Sequence, residues 1–514
     1  MPQGSVRNTK GIAKNTFFLY IRSIVVMAVG IYTSRVVLQT LGVDDYGIYS
    51  VIGGFVAMFS ILSASLVNAS QRFISFEMGK EVPQMNRIFC GTVSIHLILA
   101  AIVLLLFETF GLWFLNTQLN IVPERMGAAN WVFQCSVFTF CINLISVPYN
   151  ACIIANERMN VYAYISIFEA FVKLGIVYLL YITGYDKLIV YAILMLMIAV
   201  LLRLIYGVYC TKHFKECHFH FTLDKPLFKD MTKFIGWNFF GSTAGILNAQ
   251  GISILINLFF GVALNAARGV AEQVNQAIFT FINNFMTAMN PQITKSYAAG
   301  DFKYMNGLIE RGAKYSSLLF WFIALPIFVE ADTILNIWLV EVPPYAIIFL
   351  RWTILCSVFQ SLSNTLYIAM LASGNIKQYQ IVMSCLYVGA FLFCLFLFKL
   401  GFGPEFGYIT TFLAFALAVY VRLRLIAQIV PKFSIRSYFT NALLRSFVVI
   451  LLSTAIVYLI KHFLVICNIY IELLCVILAS FVIISLLSLV FALSKEERTL
   501  LINQIVRIQM RIRK

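Results

Sequence analysis

Six polar side chains recur at intervals of three and four residues along one mostly apolar stretch of the chain. They are Gln273, Gln276, Thr280, Asn283, Thr287 and Asn290. Because an α-helix has about 3.6 residues per turn, this spacing predicts that all six lie on one face of a single helix. Amide and hydroxyl groups both donate and accept hydrogen bonds, so such a face would bind water, a polar solute or another helix.

Two other apolar stretches carry shorter polar faces of the same kind. One comprises Ser60, Asn68, Gln71 and Ser75, and the other comprises Thr243, Gln250, Ser253 and Asn257. Two interpretations are open: the faces line a hydrated cavity, or they form hydrogen bonds that hold a helix bundle together. We favour the cavity, because the polar stretches occupy corresponding positions of an internal repeat, which hydrogen bonding between helices would not require.

Six basic residues lie within apolar stretches, where a cation is costly. They are Arg22, Arg35, Lys173, Arg203, Arg268 and Arg351. Arg22 and Arg203 are close enough to the ends of their stretches to reach water with their long side chains. The other four are candidates for binding an anion, and arginine suits phosphate because its planar guanidinium forms two parallel hydrogen bonds. For each of them, a structural ion pair or a side chain that reaches the membrane surface is the alternative.

Two carboxylates accompany these cations. Glu169 precedes Lys173 by four residues and Glu272 follows Arg268 by four, so each pair shares a helix face. The two glutamates are candidates for binding a coupled proton or sodium ion. Static ion pairs are the equally open alternative.

The helices that position these residues are predicted to span a membrane. The chain has 514 residues, of which 61% are hydrophobic and 12% are charged. Its apolar runs of about 20 residues match a hydrocarbon core of roughly 30 Å, and they lack the alternation of a β-barrel. We predict about 14 transmembrane helices, near residues 15–40, 46–78, 87–115, 126–152, 161–184, 187–210, 231–260, 263–291, 305–330, 345–373, 378–400, 404–429, 438–462 and 469–493.

Lysine and arginine are distributed unequally between alternate connections. The connections on the side of the N-terminus hold 28 of the 38, the opposite connections hold four, and six lie within spans. The net charge of +16 is therefore explained by the positive-inside rule rather than by nucleic acid. Both termini are predicted to be cytoplasmic, which requires an even number of spans. Arg422 and Arg424 are counted with the cytoplasmic connection after the twelfth span.

An internal repeat relates the two halves of the chain. Leu41-Gly42-Val43 recurs as Phe260-Gly261-Val262, and Tyr162 recurs as Tyr379. Each copy holds six spans in the same orientation, which predicts two parallel lobes with a central site between them. The predicted fold class is an all-α polytopic membrane protein with two parallel six-helix lobes plus two C-terminal helices. Its divisions are 1–210 for the first lobe, 211–230 for a cytoplasmic loop, 231–430 for the second lobe, and 431–514 for helices 13 and 14 with a basic cytoplasmic tail.

The sequence offers no catalytic or cofactor motif. It lacks a P-loop of the GxxxxGK[ST] type, and its 11 cysteines include no CxxC pair and no zinc-ligand spacing. The longest outer loop, about Glu330 to Pro344, is too short for the catalytic loop of a membrane glycosyltransferase or polymerase. We therefore expect no catalytic residue, no metal site and no cofactor, and a protein that is not an enzyme.

The opening of the chain resembles a known family. Asn15-Thr16-Phe17, Ser34-Arg35 and Leu41–Tyr49 (LGVDDYGIY) are similar to the start of Wzx-type O-antigen and polysaccharide flippases, of the multidrug/oligosaccharidyl-lipid/polysaccharide exporter (MOP) superfamily. The resemblance implies a bacterial inner (plasma) membrane protein that translocates polyprenyl-pyrophosphate-linked repeat units of O-antigen, lipopolysaccharide, capsule or exopolysaccharide by alternating access. It implies a cavity lined largely by spans 1, 2, 7 and 8. Arg35 and Arg268, with Lys173 third, match the family's cationic cavity residues by position.

The resemblance also implies the partners. A polyprenyl-pyrophosphate-linked glycan and membrane lipid are expected, polysaccharide polymerases and glycosyltransferases are the candidate protein partners, and nucleic acid is not expected. Two other cargoes stay open: a drug or metabolite cation carried by an antiporter of the same superfamily, and a peptidoglycan lipid precursor. An antiporter would need unpaired carboxylates deep in the bundle, whereas most membrane acids here have a basic neighbour or lie at the end of a span.

Overall fold

The computed structural model of the chain describes residues 9–57, 59–118, 121–222, 224–339, 342–463, 468–494 and 497–498. Within this part of the chain the secondary structure is helical, with turns and short loops between the helices. Each predicted span coincides with one helix or with consecutive helical segments. The predicted all-α polytopic fold is therefore confirmed.

Eight α-helices come before the central connection at residues 214–224. They are α1 (Thr9–Leu41), α2 (Val43–Ala57), α3 (Ser60–Met78), α4 (Met85–Leu106), α5 (Leu112–Gln118), α6 (Met126–Ala155), α7 (Met159–Ile182) and α8 (Lys187–His213). A π-helical turn, Phe107–Gly111, joins α4 to α5, so the two form one span.

Ten further α-helices follow the central connection. They are α9 (Lys225–Phe260), α10 (Val262–Ala298), α11 (Phe302–Val329), α12 (Ala331–Trp338), α13 (Ala346–Ser373), α14 (Lys377–Lys399), α15 (Phe406–Ile429), α16 (Ile435–Tyr438), α17 (Arg445–Phe463) and α18 (Ile469–Leu487). A π-helical turn, Phe439–Leu444, joins α16 to α17.

The polar spans differ from the others in hydropathy. Eleven helical segments of the described residues are long and apolar enough to cross a membrane. The predicted spans that are not among them are α1, the α2–α3 pair and α10, which are three of the four spans expected to be polar. The fourth, α9, has the lowest mean hydropathy of the eleven, 1.4. Apolar residues therefore dominate where lipid contact is expected, and polar residues are concentrated in a few helices.

The chain forms two compact units. Unit 1 contains Met1–Thr243 and Thr287–Asp301, and unit 2 contains Ala244–Met286 and Phe302–Lys514. α9 and α10 each contribute residues to both units. The predicted division of the chain at 211–230 is based on the hydrophilic connection between spans, whereas the two units are defined by contacts within the structure. The division therefore stays a prediction.

The two repeated glycines make the same turn. Gly42 separates α1 from α2 and has a φ of 82°, and Gly261 separates α9 from α10 and has a φ of 88°. A positive φ is sterically easy only for glycine, because it has no Cβ. The tripeptides that match in sequence therefore end one helix and begin the next by the same backbone conformation.

Unit 1 is built around α6, which packs against α3, α4 and α8. Arg125, just before α6, binds two aspartates at the starts of other helices of this unit. Its Nε donates to Asp45 Oδ1 at 2.9 Å and its Nη1 donates to Asp186 Oδ2 at 2.5 Å. Asp186 also caps α8 by accepting from the backbone N–H of Leu188. The guanidinium thus connects the starts of α2, α6 and α8, and a network of this kind is worth more than an isolated surface pair.

Unit 2 is built around α11 and α13. α11 packs against α13, α17 and α18, so the two helices beyond the repeat form part of this unit. The indole N–H of Trp321 donates to Ser453 Oγ at 3.1 Å, and Phe322 stacks on Phe481 with ring centroids 4.4 Å apart. These contacts join α11 to α17 and to α18.

Glu497, which follows α18, forms two hydrogen bonds with α11. Glu497 Oε2 accepts from Lys314 Nζ at 2.7 Å, and Glu497 Oε1 accepts from the Tyr315 hydroxyl at 2.6 Å. Burial alone would raise the pKa of Glu497, but the hydrogen bonds from Lys314 and Tyr315 outweigh it and hold the pKa below its ordinary value of 4.5. The interaction therefore favours the folded state while Glu497 is ionised.

We expect this stabilisation to be lost in acid. A carboxyl group with a lowered pKa in the folded state stabilises the protein above its unfolded pKa, and the contribution disappears as the pH falls below 4.5. The thermal unfolding midpoint of the purified protein should therefore drop more steeply between about pH 5 and pH 3 in wild type than in Glu497→Gln. Glu81→Gln, which removes an exposed carboxylate, is the control and should keep the wild-type slope. Equal slopes in wild type and Glu497→Gln would contradict the assignment.

Candidate functional site

Within unit 2, α10 has an exposed polar side and a buried apolar side. Its opposite side is buried, with Ile278, Ile282 and Met286 each at most 2% exposed. The exposed members of the face are Gln273, Gln276, Thr280 and Asn283. Interhelical hydrogen bonding occurs beside the face, where Ser357 Oγ on α13 donates to Asn275 Oδ1 at 2.8 Å. The amides on the face itself are therefore exposed rather than packed against another helix of unit 2.

The other two members of the α10 face, Thr287 and Asn290, belong to unit 1 and are half-buried. Asn68 and Gln71 on α3 of the same unit are also half-buried, and Ser75 is 2% exposed. These polar residues of unit 1 are thus less accessible than the four exposed α10 residues of unit 2.

The polar residues of α9 are mixed in exposure. Gln250 is exposed, whereas Thr243, Ser253 and Asn257 are half-buried. The hydroxyl oxygen of Thr243 is enclosed and has no hydrogen-bond partner within the described residues. The predicted Ser60 lies at the start of α3, and its side chain is outside the described part of the structure. A role for any of these residues in lining a cavity stays a prediction.

Arg268 is enclosed within unit 2. It is 8% exposed, its Nη2 donates to the Ala249 carbonyl at 3.1 Å, and its guanidinium lies 5.3 Å from the ring centroid of Tyr408. Glu272 Oε1 is 3.7 Å away, which is longer than a charge-assisted hydrogen bond. The charge of Arg268 is therefore only partly balanced by its carboxylate neighbour.

Lys173 has a close carboxylate partner, and Arg351 donates to a backbone carbonyl. Lys173 Nζ donates to Glu169 Oε1 at 2.5 Å, which is the ion pair that the spacing predicts. Arg351 Nε donates to the Phe328 carbonyl at 3.2 Å and is half-buried. Lys173 belongs to unit 1, and Arg268 and Arg351 belong to unit 2. Arg35 lies in α1, and its side chain is outside the described residues.

One arginine that the sequence does not single out has an unusual environment. Arg422 is assigned by the charge count to a cytoplasmic connection, but it lies within α15. Its Nε donates to the Tyr379 hydroxyl at 3.1 Å, and its Nη1 donates to Ser363 Oγ. The repeat offers the signal that was missed, because Tyr379 is already matched with Tyr162 and Arg203 precedes Arg422 by a similar interval.

Unit 1 contains a cavity of about 500 Å³ where α3 ends and α4 and α9 begin. Its charged lining residues are Arg72, Glu77, Lys80, Arg87 and Asp230. Glu77 accepts from Lys80 Nζ at 2.6 Å and from the backbone N–H of Gln84 at 2.8 Å, and Arg87 is paired with Asp224. Most of the charge in this cavity is therefore balanced by neighbouring protein groups.

The chain matches a family of known proteins. Residues 12–297 match the model of the family described as polysaccharide biosynthesis protein. No curated protein is similar enough in sequence to match the chain.

Several solved structures share the fold. A MATE mutant is 14% identical with a TM-score of 0.67, and 82% of this chain aligns with 99% of that one. An outward-facing multidrug resistance MATE family transporter of the MOP superfamily is 13% identical with a TM-score of 0.68, over 84% of this chain and 100% of that one. A MOP superfamily transporter from Pyrococcus furiosus is 13% identical with a TM-score of 0.68, over 83% and 99%. At these identities the likeness shows the fold alone.

Proposed function

Because the chain belongs to the polysaccharide biosynthesis protein family, we propose that it is a flippase for polyprenyl-pyrophosphate-linked oligosaccharides. It carries the lipid-linked repeat unit of a surface glycan from the cytoplasmic to the outer leaflet of the bacterial inner membrane, by alternating access. Both termini are cytoplasmic in this proposal, as the distribution of lysine and arginine predicts.

The observation that carries the proposal is the exposed amide-rich face of α10, with Arg268 five residues before its first member, Gln273. Gln273, Gln276 and Asn283 are exposed on a helix with a buried apolar side. Sugar hydroxyls and water need such donors and acceptors, since each unpaired polar group costs several kcal/mol, roughly, in hydrocarbon. A drug-binding surface would instead be expected to be mainly apolar and aromatic.

The negative charge of the pyrophosphate explains why the transport path would need an arginine such as Arg268. A pyrophosphate cannot enter hydrocarbon without a counter-charge or water, because burying an ion is far more costly than burying a sugar. Arg268 is only partly balanced by Glu272 at 3.7 Å, so an anion would improve its environment. An inside-negative membrane potential would favour outward movement of the anion by roughly 2.3 kcal/mol per charge per 100 mV.

A cation antiporter of the same fold is the second candidate, and one carboxylate favours it. Glu169 is occupied by an ion pair, but Glu108, at the π-helical turn after α4, has no cation beside it among the described ion pairs. Its Oε2 accepts from Gln134 Nε2 at 3.0 Å, and its Oε1 is enclosed without a hydrogen-bond partner in the described part of the chain. A carboxyl group of this kind could bind a coupled proton.

Gene deletion in the native host tests the proposed cargo. We expect surface polysaccharide to be lost and lipid-linked repeat units to accumulate on the cytoplasmic side, and plasmid-borne wild type to reverse both effects. The matched control is Glu108→Gln, which removes the candidate proton site and should still rescue the surface glycan. Unchanged surface glycan in the deletion strain, together with sensitivity to small toxic cations, would replace the flippase with the antiporter.

A further inference from the structure

Arg422 lies in a cluster of neutral hydroxyl groups within unit 2. The cluster consists of Arg422 on α15, Ser363 and Tyr367 on α13, and Tyr379 on α14. Ser363 and Tyr379 are each 2% exposed, and both accept a hydrogen bond from the guanidinium. The guanidinium carbon also lies 5.9 Å from the ring centroids of Tyr367 and of Tyr379. Three helices therefore supply this cation and the three side chains around it.

Within the described residues, the charge of Arg422 is not balanced. The side chains that contact its guanidinium, Ser363, Tyr367 and Tyr379, are all neutral. No carboxylate forms an ion pair with Arg422 in the described residues, although nine such pairs occur there. Arg422 precedes the end of α15 at Ile429 by seven residues, or about 10 Å of helix. A cation at that depth is usually paired or faces a ligand.

The two units differ in the number of arginines that lie beside a matched pair of tyrosines. In unit 1, Arg203 lies 3.8 Å from the ring centroid of Tyr149, and Arg22 lies 4.8 Å from that of Tyr162. Each of these tyrosines thus has its own arginine. Tyr367 and Tyr379 hold the corresponding positions in unit 2, and they share Arg422.

Hydroxyl groups add hydrogen-bond donors to the guanidinium in the Arg422 cluster. Tyr379 accepts from Arg422 with its oxygen, so its own proton remains to be donated. A guanidinium has five N–H donors, of which the contacts with Tyr379 and Ser363 use two. The guanidinium is therefore held in place by neutral hydroxyl groups, and no carboxylate among the described ion pairs accepts from its N–H groups.

We propose that the Arg422 cluster is an anion-binding site for a phosphate ester, on the side of unit 2 where α13 ends and α14 begins. Two guanidinium N–H groups bind two phosphate oxygens in parallel, and the Tyr379 hydroxyl donates to one of the same phosphate oxygens.

Two sources of the phosphate ester are chemically equivalent at this site. One is the pyrophosphate of the lipid-linked glycan, and this assignment rests on the proposed function. The other is the phosphodiester of a membrane phospholipid, which does not. Binding is measured on the purified protein and does not depend on transport. A variant that fails to bind phosphate can therefore be distinguished from a protein that does not transport glycans.

The test uses the purified full-length chain in neutral detergent. Sodium pyrophosphate is titrated at constant ionic strength, and the thermal unfolding midpoint is followed for wild type, Arg422→Gln and Arg424→Gln. Arg424 is the matched control, because it lies on the same helix, is exposed, and donates to the Tyr420 hydroxyl at 3.0 Å. Tyr379→Phe is a second variant, which keeps the cation and the ring if Arg422→Gln does not fold.

We expect pyrophosphate to raise the unfolding midpoint of wild type and of Arg424→Gln. The concentration for half the effect should rise about tenfold or more in Arg422→Gln and several-fold in Tyr379→Phe, because charge-assisted hydrogen bonds are lost. The same response in wild type and in Arg422→Gln would overturn the pyrophosphate assignment.

A second arm distinguishes the lipid source. Phosphatidylglycerol bound to the detergent-purified chain is counted by native mass spectrometry in the same variants. Loss of one bound phosphatidylglycerol in Arg422→Gln, but not in Arg424→Gln, would assign the site to a membrane phospholipid. If neither pyrophosphate nor phosphatidylglycerol binding depends on Arg422, the cluster is a structural cation–aromatic contact and the proposal is wrong.

Discussion

Replacing Arg268 by glutamine is expected to lower glycan translocation by roughly ten- to hundredfold, because a hydrogen bond to a charged group contributes about 1.5–3 kcal/mol. Arg268 is 8% exposed and lies five residues before Gln273, the first residue of the exposed face of α10. The measurement is the amount of surface polysaccharide in the deletion strain when the variant is expressed at the wild-type level. Arg424→Gln removes an exposed arginine of the same unit and should rescue fully.

The pair with Glu272 offers a way to separate a structural role from attraction of an anion. If Arg268 serves only to neutralise Glu272 at 3.7 Å, the double variant Arg268→Gln with Glu272→Gln should restore translocation, because no lone charge is left. If Arg268 attracts the substrate, the double variant should be as defective as Arg268→Gln. Restoration by the double variant would therefore remove Arg268 from the binding site.

Replacing Gly79 by alanine is expected to destabilise the protein by about 3 kcal/mol, since overpacking against backbone is poorly relieved. A Cβ at this position would lie 2.4 Å from the carbonyl oxygen of Lys295 and 2.7 Å from Ala298 Cβ. The φ of Gly79 is −86°, so the expected cost comes from this close approach of α3 to α10 and not from backbone conformation. The measurement is the thermal unfolding midpoint of the purified chain.

The segment opposite Gly79 has little freedom to move away. Lys295 Nζ is 2.8 Å from Glu157 Oε1, and Gln292 Nε2 donates to the same oxygen at 2.6 Å. Gly236→Ala is the control, because a Cβ there would meet open space, and alanine in a helix is favoured over glycine by about 1 kcal/mol. We expect the two substitutions to shift the unfolding midpoint in opposite directions, and equal shifts would show that the contact at Gly79 is not tight.

Local sequence patterns were enough to predict the class of fold. Apolar runs and their spacing are properties of single segments, so the spans and the polar face of α10 follow from hydropathy and helical period. The turn at Gly42 and Gly261 is also local, because glycine is the residue that adopts a positive φ easily. The i, i+4 pair of Glu169 and Lys173 follows from spacing for the same reason.

Whether a charged residue is satisfied could not be predicted in this way. Arg351 and Arg268 both donate to a backbone carbonyl, of Phe328 and of Ala249, but among the described ion pairs only Arg268 has a carboxylate beside it, Glu272. The Arg422 cluster joins three helices whose residues are up to 59 positions apart. A sequence pattern does not specify which faces of distant helices meet.

The sequence by itself therefore determined the membrane-spanning helical class, the repeat and the identity of the polar helices, because these depend on interactions within a turn or two of helix. Only the tertiary structure decided which cations are balanced, where Arg422 meets Tyr379, and how closely α3 approaches α10 at Gly79. Those contacts depend on the rotation and crossing of helices, which are set by the packing of many side chains at once.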